Sequence, residues 1–219
     1  MLKFAIASEG ITDQIVIENI LCGYYKDRNL KSEIGYVYPI DKTQQKRVED
    51  EFSNWELLLE HISTKRFRKD VVNNRYMIVQ IDTDISEHEN FGVSKVNLST
   101  EQLIEKVIER LIGQIDSKKE FYQNYKEKII FAISVHSLEC WLLPIYESNK
   151  KEKTINCEDK LKYAVSNSSS KKIQKLKTDK NYDNYNDLSK ILMKPKELIK
   201  IASKNSSFQI FINNLPKNI

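Results

Sequence analysis

The sequence predicts an α/β protein: a mainly parallel sheet with helices on both faces, extended at its C-terminal end by a basic, mostly helical segment. Two observations predict the sheet. Apolar runs of strand length at residues 2–7, 34–38, 76–81 and 129–135 alternate with longer stretches of helical period, the βαβα order of a parallel sheet. The runs are also apolar almost throughout, as strands covered on both sides must be. A third observation, a change of composition near residue 149, marks the extension. Residues 150–219 hold 16 Lys against 7 Asp or Glu, a surplus of +9, whereas residues 1–149 hold 19 Lys or Arg against 24 acids, or −5. The expected division is residues 1–148 as the sheet domain and residues 149–219 as the extension packed on it.

Taken in order, residues 2–7 form a buried strand that Ser8-Glu9-Gly10 breaks with a glycine turn, and Thr12 or Asp13 caps the next helix. From Asp13, Val16, Ile20 and Tyr24 recur at i+4 beside Ile17 and Leu21, one broad helical face. Pro39 closes the second strand. Residues 45–64 read as a helix around Phe52, Trp55, Leu58, Leu59 and Ile62, with the basic Lys65-Arg66-Phe67-Arg68-Lys69 at its exit, either as a helix C-terminus that favours cations, the preferred reading, or as a phosphate contact. After the strand at 76–81 comes a polar loop, Ser86 to Gly92. A helix capped by Thr100 then runs through Leu103, Val107, Leu111 and Ile115. The last strand turns at His136 into a helix that is apolar except for Glu139. In the extension, residues 156–165 form one helix, residues 171–204 two more separated near 182–186, and residues 206–215 a last one, whose Phe208, Phe211, Ile212 and Leu215 dock it on the body.

Several classes are excluded. The three cysteines, Cys22, Cys140 and Cys157, show no ligand spacing, and no disulfide framework is required; Cys22 and Cys140 read as small core residues on helices. His61, His88 and His136 include no i, i+4 pair, which argues against zinc. No apolar run is long enough to span a membrane, and the first residues are too short a run for a signal peptide, so the expectation is a cytoplasmic protein.

The carboxylates carry the chemistry. The run Tyr76-Met77-Ile78-Val79-Gln80-Ile81 leads straight into Asp82-Thr83-Asp84, and the first strand leads into Glu9 and Asp13. Parallel strands present their C-termini on one edge, so Glu9, Asp13, Asp82 and Asp84 can meet there, with Glu139 following the last strand. Such a cluster would need a hard cation, Mg²⁺ or Mn²⁺, to neutralise it. A metal held there polarises a phosphoryl oxygen and activates water. An acidic metal site beside a basic tail is the charge arrangement that work on nucleic acid requires, and Lys171, Lys172 and Lys175 are the candidate phosphate contacts. Asp13 reads equally as a helix cap, Glu139 as the partner of a core cation, and Ser86, Glu87 and His88 as ordinary loop polarity.

Glu9-Gly10-Ile11-Thr12-Asp13 behind one strand and Asp82-Thr83-Asp84 behind a later one resemble the Toprim domain over residues 2–145. Together with Ser137-Leu138-Glu139-Cys140-Trp141 and the closing Ser206-Ser207-Phe208 helix, they look most like the small stand-alone Toprim proteins of bacterial phage defence, the RloB-like and OLD-type nucleases. The resemblance implies a Mg²⁺-dependent endonuclease cleaving DNA or RNA as a toxin-like antiviral effector. Glu9 would be metal ligand or general acid/base, Asp82 and Asp84 metal ligands, and Asp13 and Glu139 further ligands. It also implies a companion, such as a regulatory ATPase, and allows a homodimer. The long spacer between Glu9 and Asp82 implies an inserted strand and helix at residues 32–70. Two other readings stand beside it: a non-catalytic Toprim-like module that docks a partner through the basic tail, and a phosphatase using Asp82-Thr83-Asp84 in the manner of haloacid dehalogenases, which leaves Glu9 without a role.

Overall fold

The architecture is taken from a computed structural model that describes residues 1–40, 54–147, 152 and 154–219. The four apolar runs are strands β1 (Phe4–Ala7), β2 (Ile34–Tyr38), β3 (Tyr76–Asp82) and β4 (Ile129–Ser134). They pair in parallel in the order β2-β1-β3-β4. Phe4 lies opposite both Ile34 and Tyr76, and Asp82 opposite Ser134. The chain therefore adds β2 on one side of β1 and then β3 and β4 on the other. The crevice between the ends of β1 and β3 is the topological switch point, where open α/β sheets bind their ligands.

The pleat assigns each side chain to a face. Phe4, Ile6, Ile78, Ile130 and Ala132 pack toward α1 (Ile11–Tyr24). Ala5, Ala7, Met77, Val79, Ile81, Phe131 and Ile133 pack on the other face, against α2 (Asn54–Ser63), α3 (Lys65–Asn73), α4 (Thr100–Ile115) and the short α5 (Glu120–Tyr125). By the same alternation Gln80, Asp82 and Ser134 belong to the α1 side. The helices after β4 complete that side: α6 (Glu139–Tyr146), α7 (Cys157–Ser166), α8 (Tyr182–Ser189), α9 (Pro195–Ala202) and α10 (Ser206–Asn214). Leu161, Val165, Tyr185, Leu188, Leu198, Ile201, Phe208 and Phe211 share one core with Phe4 and Ile6. Among the described residues, most of the lysines of this segment lie on its outer surface.

Among the contacts that hold the C-terminal helices in place, two centre on Trp141 of α6. Trp141 stacks on Phe208 with ring centroids 4.8 Å apart and on Phe211 at 5.4 Å. Beneath the stack, buried Ser207 Oγ accepts hydrogen bonds from Trp141 Nε1 at 2.8 Å and Val135 N at 3.2 Å, and donates to Asn205 Oδ1 at 2.9 Å. On the far side of α1, Gly23 lets Leu192 approach so closely that a Cβ there would lie 1.9 Å from its carbonyl oxygen.

Some local expectations are corrected. Cys140 is not an isolated core residue: it forms a disulfide with Cys157, joining α6 to α7, while Cys22 is free and buried. The basic run 65–69 does not end a helix but opens α3, for which Thr64 Oγ1 accepts the Phe67 N–H at 3.1 Å. Helix α4 is capped by Ser99, not Thr100, in a reciprocal pair of bonds with Gln102. The break expected at 182–186 is instead the start of α8, which Asn181 caps. Residues 45–53 of the expected helix at 45–64 lie outside the described residues; its remainder is α2.

Candidate active site

Short-range hydrogen bonds build the edge at the ends of β1, β3 and β4. After Ala7, Ser8 Oγ donates to Gly10 O at 2.8 Å, and α1 starts at Ile11. Asp13 Oδ2 accepts from Gly10 N at 2.8 Å, so Asp13 caps the helix from its third residue. Glu9 reaches across the switch point, its Oε1 accepting from Asp82 N at 2.6 Å. Asp82 Oδ1 in turn accepts from Gln80 Nε2, two residues back on the same face, at 2.9 Å. The Asp82-Thr83-Asp84 turn is clamped to the end of β4: His136 O accepts from Thr83 N at 3.0 Å and Asp84 N at 2.9 Å, and His136 N donates to Thr83 Oγ1 at 2.8 Å. His136 takes a left-handed φ of +69° to do so, a conformation concentrated at functional sites. Glu139, only 3 % exposed, begins α6.

The carboxylates act on one another. Burial pushes the Glu9 pKa up to about 8, with Asp13 and Asp84 adding to the rise. Burial and then Glu139 push Asp13 up to about 7. Asp82 is raised well above the ordinary range, first by burial, then by Glu9, Asp13, Glu139 and Asp84. The five acids thus share one field, although they come from three separate places in the sequence. Asp84 lies at the exposed rim.

Among the described residues, one cation faces this cluster. Lys180 Nζ lies 3.5 Å from Glu139 Oε1 and 3.0 Å from Glu158 Oε2, and its charge lowers the pKa of Glu9 and of Asp13. Burial works to lower the pKa of Lys180 itself, but Glu139, Glu158 and Asp82 more than reverse this, so the ammonium is held charged. Tyr185 donates its hydroxyl to Glu139 Oε1 at 2.6 Å. Sequence reasoning missed Lys180, Glu158 and Tyr185. Lys180 is one of many lysines in a stretch without periodicity, and only the packing of α7 and α8 brings these residues to the sheet edge.

Glu9, Asp13, Asp82, Asp84 and Glu139 are brought together; Lys171, Lys172 and Lys175 are not among them. These lysines are exposed on the turn that precedes the stretch leading to Lys180. The flanking loop residues have structural partners. Ser86 N donates to Thr83 O, Glu87 Oε1 accepts from Lys95 N, and the His88 ring packs on Trp55. Buried polar atoms without a protein partner gather nearby: Gln80 Oε1, Ser86 Oγ, Ser134 Oγ, His136 Nδ1 and Ser137 Oγ. A polar lining of this kind is completed by water or a ligand.

The donor set suits a hard divalent cation, since it offers carboxylate oxygens and a concentration of negative charge. Among the described residues, however, no three His, Cys, Asp or Glu side chains stand close enough to enclose a single ion. The fit is one of chemistry and charge. Fold and site together define the class: a parallel α/β protein with an acidic cluster and one lysine at its switch point. No family model, curated protein or solved structure matches the chain. Among the described residues, no helix is long and apolar enough to cross a membrane.

Proposed function

We propose that this chain is a Toprim-type, divalent-metal-dependent nuclease that hydrolyses phosphodiester bonds of DNA or RNA, and that it serves as a toxin-like effector in antiviral defence. The observation that carries the proposal is the convergence at the switch point of Glu9, Asp13 and Asp82, whose pKa values are all raised by burial and then by neighbouring carboxylates, with Asp84 and Glu139 among those neighbours. Ionising these carboxylates together at neutral pH would need more positive charge than Lys180 supplies. Glu9, Asp82 and Asp84 would hold Mg²⁺ or Mn²⁺, with Asp13 and Glu139 beside them. The bound metal would supply Lewis-acid polarisation of the phosphoryl oxygen and a more acidic water. Lys180 adds positive charge where the phosphoryl group gains negative charge. In the alternative role of general acid or base, Glu9 would exchange a proton with the reacting water or leaving group, its pKa in the metal-free site being pushed up to about 8. The exposed Lys171, Lys172 and Lys175 would track the phosphate backbone. The defence role and a companion ATPase rest on the family resemblance alone.

The bond from Asp82 N to Glu9 disfavours the phosphatase alternative, because it makes Glu9 part of the aspartate site. The open placement of the carboxylates, with Lys180 already beside them, favours a second reading: a binding module that never loads metal. One experiment separates the two. Purified protein with Mn²⁺ or Mg²⁺ is incubated with plasmid, single-stranded DNA, tRNA and ribosomal RNA, beside Glu9→Gln and Asp82→Asn. Metal-dependent cleavage lost in both variants supports the nuclease. Cleavage equal in all three proteins, or no cleavage together with no Mn²⁺ binding by calorimetry, removes it.

A further inference from the structure

The disulfide and the site lysine are linked through adjacent residues. Cys140 directly follows Glu139, and Cys157 directly precedes Glu158, so the bond joins the two positions next to the two carboxylates that hold Lys180. Glu139 opens α6 and Glu158 lies in the first turn of α7. Glu158 divides its oxygens, Oε1 taking Lys162 Nζ at 2.7 Å and Oε2 taking Lys180 Nζ at 3.0 Å. Lys180 itself lies in an irregular stretch just ahead of α8, with nothing from helix geometry to fix it. Its position depends on the two carboxylates, and their separation is set where α6 and α7 are cross-linked.

We infer that the Cys140–Cys157 bond is a redox-sensitive brace that positions Lys180 at the carboxylate cluster, with Glu158 as the positioning residue. Two-electron reduction by a dithiol breaks the Sγ–Sγ bond and leaves a thiol on each cysteine, while the dithiol closes to its own cyclic disulfide. Both cysteines are buried, at 1 % and 0 % exposure, so the reductant gains access only when α7 opens locally. Once the bond is cut, α7 loses its covalent tie to α6, and the Lys180 bridge between Glu139 and Glu158 is left to hold against local opening of α7, so Glu158 can leave Lys180. The cluster then loses the ammonium beside it. The consequence for catalysis rests on the metal-centre reading, whereas the placement of Lys180 does not.

The test reads the lysine directly. Oxidised and dithiothreitol-reduced protein are acylated with an N-hydroxysuccinimide ester at fixed pH, and Lys180 labelling is followed by peptide mass spectrometry against exposed Lys171 as internal reference. In the oxidised protein Lys180 should label severalfold more slowly than Lys171, because its ammonium is engaged by both Glu139 and Glu158. Reduction, confirmed by thiol counting, should raise the Lys180-to-Lys171 ratio severalfold. Glu158→Gln should raise it in the oxidised protein without touching the core, and Cys140→Ala/Cys157→Ala should raise it without reductant. An unchanged ratio after reduction, or a rise shared equally by Lys171, overturns the brace; so does an unchanged ratio in Glu158→Gln. Mn²⁺ calorimetry on the same samples keeps the two ideas apart. A responsive Lys180 with no Mn²⁺ binding in either redox state leaves the brace standing and removes the metal centre.

Discussion

Replacing Glu9 by Gln should stabilise the metal-free protein while abolishing its activity, and the gain should grow with pH. Glu9 ordinarily titrates at 4.5 and is pushed up to about 8 in the fold, chiefly by burial and then by Asp13. The folded state therefore holds a proton that the unfolded chain releases between these two values. Stability from this proton is fully present below about pH 4.5 and is lost as pH rises through about 8. At about 1.4 kcal/mol for each pH unit, the loss is roughly 3 kcal/mol at pH 7 and approaches 5 kcal/mol above pH 8. Asp13, pushed up to about 7, changes stability in the same direction over an overlapping window. Glutamine keeps an oxygen to accept the Asp82 N–H and carries no proton to lose. Urea denaturation in EDTA at pH 4.5, 6, 7 and 8 measures the effect. The variant should match wild type at pH 4.5 and exceed it by about 3 kcal/mol at pH 8, after discounting for the partial exposure of Glu9. Saturating Mn²⁺ should flatten the wild-type profile. A wild-type stability constant from pH 4.5 to 8, or a variant no more stable at pH 8, would show that the fold does not hold a proton on Glu9.

Three further outcomes are expected. Ser207→Ala should cost about 3 kcal/mol in chemical denaturation, because it leaves the buried Trp141 Nε1 and Val135 N donors without a partner; a loss under about 0.5 kcal/mol would mean that water replaces the hydroxyl. Gly23→Ala should cost about 3 kcal/mol or more, since the added carbon meets a backbone oxygen rather than a movable side chain, and thermal melts would report it as a clear drop in Tm. Replacing Lys171, Lys172 and Lys175 together by Gln should lower the slope of log binding constant against log salt by about 2 to 3 on duplex DNA, about 0.9 for each phosphate no longer neutralised. An unchanged slope removes these lysines from the interface.

Much of the sheet was legible because its signals are local. A run such as Met77 to Ile81 is apolar enough to demand cover on both faces, and the carboxylates that come after it cannot continue into that core. Parallel order then arises from the helices between the strands, and it places Glu9 and Asp82 on one edge. The double role of Asp13 was also open to reading, as a cap to Gly10 and as a member of the acidic cluster. Mispositioned boundaries, such as Thr100 for Ser99, come from caps that differ by one residue and have nearly equal propensity.

The α/β class, the strand ends that bear Glu9, Asp82 and Asp84, and the charge contrast between the two parts of the chain are all dictated by residue order alone. They depend on the polarity and spacing of neighbouring residues. Packing in three dimensions settles which lysine faces the carboxylates, that Tyr185 and Glu158 join the site, and that Cys140 is bonded to Cys157. Each of these is a meeting of residues from different elements. Such a meeting depends on how α7 and α8 pack over the α1 side of the sheet, a choice made by the whole core around Trp141, Tyr185 and Phe208, for which no single stretch of sequence carries a signature.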